Sequence, residues 1–130
     1  MEKRDDFFIP EDMAEWIGLK KSEYLSRLIQ NQPRGDFKFE EFHLFDVHIP
    51  STIENPDKAF EFKEDEHTQR TYLRTYNDKV IFHQIVVGVL VDDKQNKASV
   101  FVPIICFVTK DDRLVAEFTR GEVISRPVLN

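Results

Sequence analysis

The sequence predicts an α+β fold: a short N-terminal helical unit packed on an antiparallel β-meander that carries enough apolar residue to roll into a partly open barrel. Three observations predict it. Apolar residues recur at helical spacing between about residues 10 and 32. From about residue 42 to 126 the chain consists of short apolar or alternating runs separated by turn residues. The two longest runs, Lys79–Val91 and Ser99–Thr109, are apolar at odd and even positions alike, so a sheet built from them needs cover on both faces. The helical unit supplies one cover. The rolled sheet itself, or a second copy of the chain, is expected to supply the other.

The elements follow in order. Pro10 suits a first helical turn, and Glu11 and Asp12 suit the positive end of a helix dipole. Met13, Trp16 and Ile17 share a face, Gly18 can end the turn, and Ser22 can cap a second segment whose apolar face is Tyr24, Leu25, Leu28 and Ile29. Pro33 and Gly35 stop it, so two short helices or one kinked helix are expected. Everything after Gly35 reads as strand: Phe42–Ile49 up to Pro50, then Lys58–Lys63, then Arg70–Tyr76 and Lys79–Val91 around an Asn77-Asp78 hairpin loop. Polar Asp92–Lys97 leads into Ser99–Thr109. Asp111-Asp112 turns the chain into Arg113–Thr119, and Val123–Arg126 is a last short strand.

Composition narrows the function classes. At 130 residues the chain reads as one domain spanning 1–130, large enough for a real core. The formal charge of −6 opposes a duplex DNA partner, because phosphate neutralisation needs a basic surface. That charge is uneven: residues 1–66 hold nine Lys+Arg against 17 Asp+Glu, and residues 67–130 hold nine against seven. No apolar run reaches the ~20 residues of a membrane helix, and the charged start Met1–Asp6 has no signal-peptide pattern. A cytoplasmic protein with no membrane partner is expected. The single cysteine, Cys106, excludes an internal disulfide or a cysteine metal cluster, and its apolar neighbours read as core. No cofactor motif is present, and the four histidines fall at no zinc-like spacing.

With Asn77-Asp78 as the loop, Tyr76 faces Lys79, Arg74 faces Ile81, Tyr72 faces His83 and Arg70 faces Ile85. Alternation then places Arg70, Tyr72, Arg74, Tyr76, Lys79 and His83 on one hairpin face. Guanidinium forks set among aromatic rings suit a phosphate or carboxylate and can stack a base. Elsewhere Asp46 and His48 share a face of the expected strand and form a possible acid–base pair.

Arg70-Thr71-Tyr72-Leu73-Arg74 resembles the two-arginine element with which PilZ domains grip cyclic di-GMP ahead of an antiparallel barrel. The resemblance implies a cyclic-dinucleotide sensor using Arg70 and Arg74. The accompanying Asp/Asn-x-Ser-x-x-Gly element is not found: Asp93 to Ser99 has the wrong spacing and Gly88 stands inside a strand. Ile17–Ile29 resembles the glycine turn and second helix of ribbon-helix-helix or helix-turn-helix DNA binders, a role the acidic half opposes. Val102-Pro103-Ile104 and the turn after it are similar to the end of thioredoxin-like domains, but no redox cysteine pair precedes them.

The first functional expectation is a non-catalytic binding or interaction module that acts through a sheet face on a protein partner or on its own copy as a homodimer. The alternative is a nucleotide or cyclic-dinucleotide sensor with Arg70 and Arg74 holding a small anionic ligand. A third is a small pocket enzyme built on an Asp–His pair drawn from Asp46, His48 or His83.

Overall fold

A computed structural model describes residues 9–93 and 98–124. Helix α1 spans Glu11–Asn31, a 3-10 helix spans Phe39–His48, and α2 spans Ile49–Glu54. Strands β1 (Lys58–Glu64), β2 (His67–Asp78), β3 (Val80–Asp93) and β4 (Ala98–Thr109) follow, then α3 (Asp112–Phe118) and β5 (Glu122–Ile124). The strands form one antiparallel sheet in the order β4-β3-β2-β1-β5. The sheet stays open, with β4 and β5 as its edges, so the barrel expectation gives way to a twisted meander.

The α+β class holds, and three element assignments change. The N-terminal segment is one continuous helix: Gly18 and Ser22 lie inside it, and Tyr24 and Leu28 are buried. Phe42–Ile49 is helical rather than extended. Phe39, Phe42, Phe45 and His48 recur every third residue, which aligns them along one side of a 3-10 helix. Arg113–Thr119 is likewise helix, because Asp111 caps α3 by accepting the Arg113 amide at 2.8 Å, and Leu114 and Phe118 form its buried i, i+4 stripe. The expected last strand is present as β5, and residues 125–126 of it lie outside the described residues.

Alternation along β3 explains why both of its faces are apolar. Ile85, Val87, Val89 and Val91 point into a core completed by Tyr24, Leu28, Phe107, Leu114 and Phe118, under α1 and α3. On the opposite face Val86 packs with Ala59, Tyr72, Ile49 and Ile53, under α2. The second cover is therefore the chain's own segment 39–54. The 3-10 helix crosses the β4 edge to provide it: Phe42 meets Phe107 in the first core, and Phe45 meets Phe82 on the second face. A buried polar chain fixes this layer, with Thr52 Oγ1 donating to Gln84 Oε1 at 2.6 Å and Gln84 Nε2 donating to the Phe45 carbonyl at 2.9 Å.

α1 is held to the β1–β2 turn by a second polar network. The Lys20 ammonium, 9% exposed, donates to Glu64 at 2.7 Å and Glu23 at 3.2 Å, and Tyr24 donates to Gln69 at 2.6 Å. Burial pushes the Lys20 ammonium down, but its hydrogen bonds to Glu64 and Glu23 outweigh that and leave it above the ordinary lysine value. At the other side of the sheet Gly121 takes φ +99°, and a Cβ there would lie 2.3 Å from the Glu61 carbonyl oxygen. Only glycine lets β5 close on β1.

Candidate functional site

The hairpin register decides which side chains meet. Asp78 pairs with Val80, and Lys79 alone forms the apex with φ +68°. Tyr76 therefore faces Phe82, Arg74 faces Gln84, Tyr72 faces Val86 and Arg70 faces Gly88. The expected pairing is displaced by three residues. An odd displacement exchanges the faces of β3. Arg70, Tyr72, Arg74 and Tyr76 do share one face, whereas His83 faces Thr75 on the other and Lys79 sits exposed at the tip.

Each arginine on that face already has partners. Arg70 Nε donates to Glu61 Oε2 at 2.8 Å, Nη2 donates to the same oxygen, and Nη1 donates to Tyr72 Oη at 3.2 Å. Partial burial lowers the guanidinium's proton affinity, but the bonds to Tyr72 and Glu61 outweigh this, and Arg70 holds its proton more tightly than usual. Arg74 donates to the Asn55 carbonyl at 3.0 Å and to the Ser51 carbonyl at the end of α2, and its guanidinium lies 5.2 Å from the Tyr76 ring. Four residues along a strand separate the two Cα atoms by about 13 Å. One guanidinium is paired to a carboxylate and the other caps a helix. An anion taking Arg70 has to displace Glu61.

The tyrosines serve packing. Tyr72 is buried edge-on against Phe101, with ring centroids 5.0 Å apart. Tyr76 stacks on Phe82 at 5.4 Å, and its hydroxyl lies 2.8 Å from Thr52 Oγ1 and 3.2 Å from the His48 carbonyl. Asp46 and His48 lie two apart within one turn of a 3-10 helix, on different sides of it, instead of sharing a strand face, and His48 packs against Tyr76 at 4.7 Å. The Asp–His contact that the structure does make is His83 Nε2 to Asp112 Oδ1, at 3.0 Å. Its carboxylate was legible only as a turn residue.

A cleft of about 420 Å³ opens between the end of α1 and the start of α3, lined by Gln30, Gln32, Pro33, Asp111, Arg113 and Glu117 among others. None of the six predicted side chains lines it. Among the described residues no group of three or more His, Cys, Asp or Glu is placed to hold a metal ion, and no helix is long and apolar enough to cross a membrane.

Among the described residues β4 is the longer of the two sheet edges. Its twelve residues, ASVFVPIICFVT, include no charged side chain. The 3-10 helix covers the C-terminal half, and Asp36 ties down its end by accepting from Thr109 Oγ1 and from the Lys110 amide at 2.9 Å. In the N-terminal half Ala98, Ser99 and Pro103 are exposed and Val100, Phe101 and Val102 are half-buried. Comparison with known proteins finds no matching family model, no similar curated protein and no similar solved structure.

Proposed function

We propose that the chain is a non-catalytic interaction module whose sheet binds a second polypeptide, its own copy first, by adding a strand to the open half of β4. The observation that carries this reading is the uncharged edge Ala98–Val102, which no strand among the described residues pairs on its outer side, in a chain that covers both faces of its sheet. Edge strands are ordinarily blunted by charge, bulges or proline. Here the register shift at Val87/Gly88 and Pro103 blunt only the middle of β4, and they limit pairing to the five residues before them. Two such edges related by a two-fold axis pair antiparallel without charge conflict.

A five-residue pairing is a small interface, so association is weak and concentration-dependent. Sedimentation velocity over roughly 10–500 µM, the range such an interface demands, is expected to show reversible dimer. Ala98→Lys with Ser99→Lys, both at exposed positions, places charge on the edge and should return the protein to monomer with unchanged circular dichroism. Main-chain pairing makes the dimer indifferent to salt. Dissociation at high salt would instead assign association to the acidic and basic halves. A monomer throughout the concentration range overturns self-pairing.

A further inference from the structure

Thr75, His83 and Thr109 form a row across β2, β3 and β4, on the face under α1 and α3. The chain leaves β4 at Thr109 and enters α3, which brings Asp112 back over the row. The result is a relay of three side chains. Thr75 Oγ1 lies 2.8 Å from His83 Nδ1, and His83 Nε2 lies 3.0 Å from Asp112 Oδ1. The carboxylate settles the tautomer. Only an Nε2–H can sit against Asp112 without lone-pair repulsion, so neutral His83 presents the bare Nδ1 lone pair to Thr75, and the threonine hydroxyl donates.

The third member of the row behaves differently. Thr109 Oγ1 donates to Asp36 and accepts the Asp111 amide at 3.0 Å, so its hydroxyl is used up in fixing the β4–α3 corner. Thr75 is exposed, and its hydroxyl is committed to the imidazole alone among its side-chain partners. His83 is 17% exposed and held from both ring nitrogens, which fixes the orientation of the base.

We propose that Thr75 is an acyl-accepting hydroxyl, with His83 as its general base and Asp112 as a positioning residue, and with an activated ester or thioester as donor. Oγ1 attacks the donor carbonyl carbon while its proton passes to His83 Nδ1. The new ester C–O bond forms, the bond to the leaving alkoxide or thiolate breaks, and the imidazolium returns the proton to that leaving group. The Thr75 amide is spent on Asp57 Oδ2 at 2.8 Å and offers nothing to an oxyanion. The nucleophile therefore has base activation without an oxyanion donor from its own amide, and the expected product is an ester held on Thr75. This is a property separate from the strand pairing at β4, and neither depends on the other.

The test uses p-nitrophenyl acetate on the intact protein at neutral pH, with peptide mass spectrometry to locate acetyl groups. Acetylation is expected at Thr75, slowed about 10²-fold in His83→Gln, the share a positioned general base supplies. Thr75→Ser should keep the label and Thr75→Val should lose it. Asp112→Asn, at a carboxylate 91% exposed, should slow labelling with little change in the unfolding midpoint, which separates positioning from a folding defect. Labelling confined to lysines and the N-terminus, or Thr75 labelling at the same rate in His83→Gln, overturns the proposal.

Discussion

Gly88 is a position where one added carbon is costly although the backbone is ordinary extended strand. It pairs with Arg70 on β2 and Pro103 on β4, beside the irregularity in the β3–β4 ladder. A Cβ built there lies 2.5 Å from Phe101 Cζ, 2.6 Å from Phe101 Cε1 and 2.6 Å from the Val102 carbonyl oxygen. Comfortable separations are about 3.5–4.0 Å, so the neighbours must retreat by roughly 1 Å. Phe101 cannot swing freely, because its ring is set edge-on at 73° against buried Tyr72. The Val102 oxygen belongs to the sheet. Gly88→Ala should therefore destabilise by about 2–3 kcal/mol, the upper range for overpacking. Urea unfolding measures this as a lower midpoint with unchanged slope. The clash divides into a ring part and a main-chain part, and a double-mutant cycle separates them. Phe101→Leu alone costs about 1 kcal/mol for the lost packing. Combined with Gly88→Ala it should recover roughly 1 kcal/mol of the alanine penalty, leaving the carbonyl share. Gly88→Ala within about 0.5 kcal/mol of the parent would refute the reasoning, and so would a cycle with no coupling.

Lys79 holds a left-handed conformation at the hairpin apex, so Lys79→Gly should stabilise by about 1 kcal/mol and raise the melting temperature by about 3 °C, read by thermal unfolding. Cys106 is pushed up to about 11 by burial, with Asp46 adding to it. At pH 8 the native thiol should react with a disulfide reagent about 10²-fold more slowly than the denatured chain, whose thiol titrates near ~8.5. Because the unfolded thiol loses its proton before the native one, stability should fall as pH rises from about 8.5 toward 11, and Cys106→Ala should remove that part of the slope.

What the sequence disclosed follows the range of the interactions concerned. α1 was legible because its apolar spacing is local, although Gly18 and Ser22 do not divide it, and β3 and β4 were legible because long apolar runs outlast any ambiguity of period. The two misread helices were also written locally, in weaker signals. The three-residue recurrence of Phe39, Phe42 and Phe45 and the cap-plus-stripe of Asp111, Leu114 and Phe118 compete with a high content of strand-forming aromatic and branched residues. Tertiary cover resolved that competition. Segment 39–48 had to cross the β4 edge and serve both layers, which a strand cannot do with alternating faces.

The candidate sites were less legible for a sharper reason. A hairpin carries its ligand-binding face through parity: any odd error in loop length sends every side chain of one strand to the opposite face. Asn77-Asp78 is a favourable two-residue loop by composition, yet the chain turns at Lys79, because that register seats Phe82 against Tyr76 and buries Gln84 beneath Thr52. The first contact lies within the hairpin and the second comes from α2, some 30 positions upstream of Gln84, and together they outweigh the local strain of one left-handed lysine. The same shift that removes His83 from the arginines delivers it to Thr75 and Asp112. Glu61 and Asp112, the carboxylates that decide what Arg70 and His83 can do, lie nine and 29 positions away in the chain. No pattern confined to the hairpin could have named either one, so the chemistry of this face is a property of the register and not of the motif.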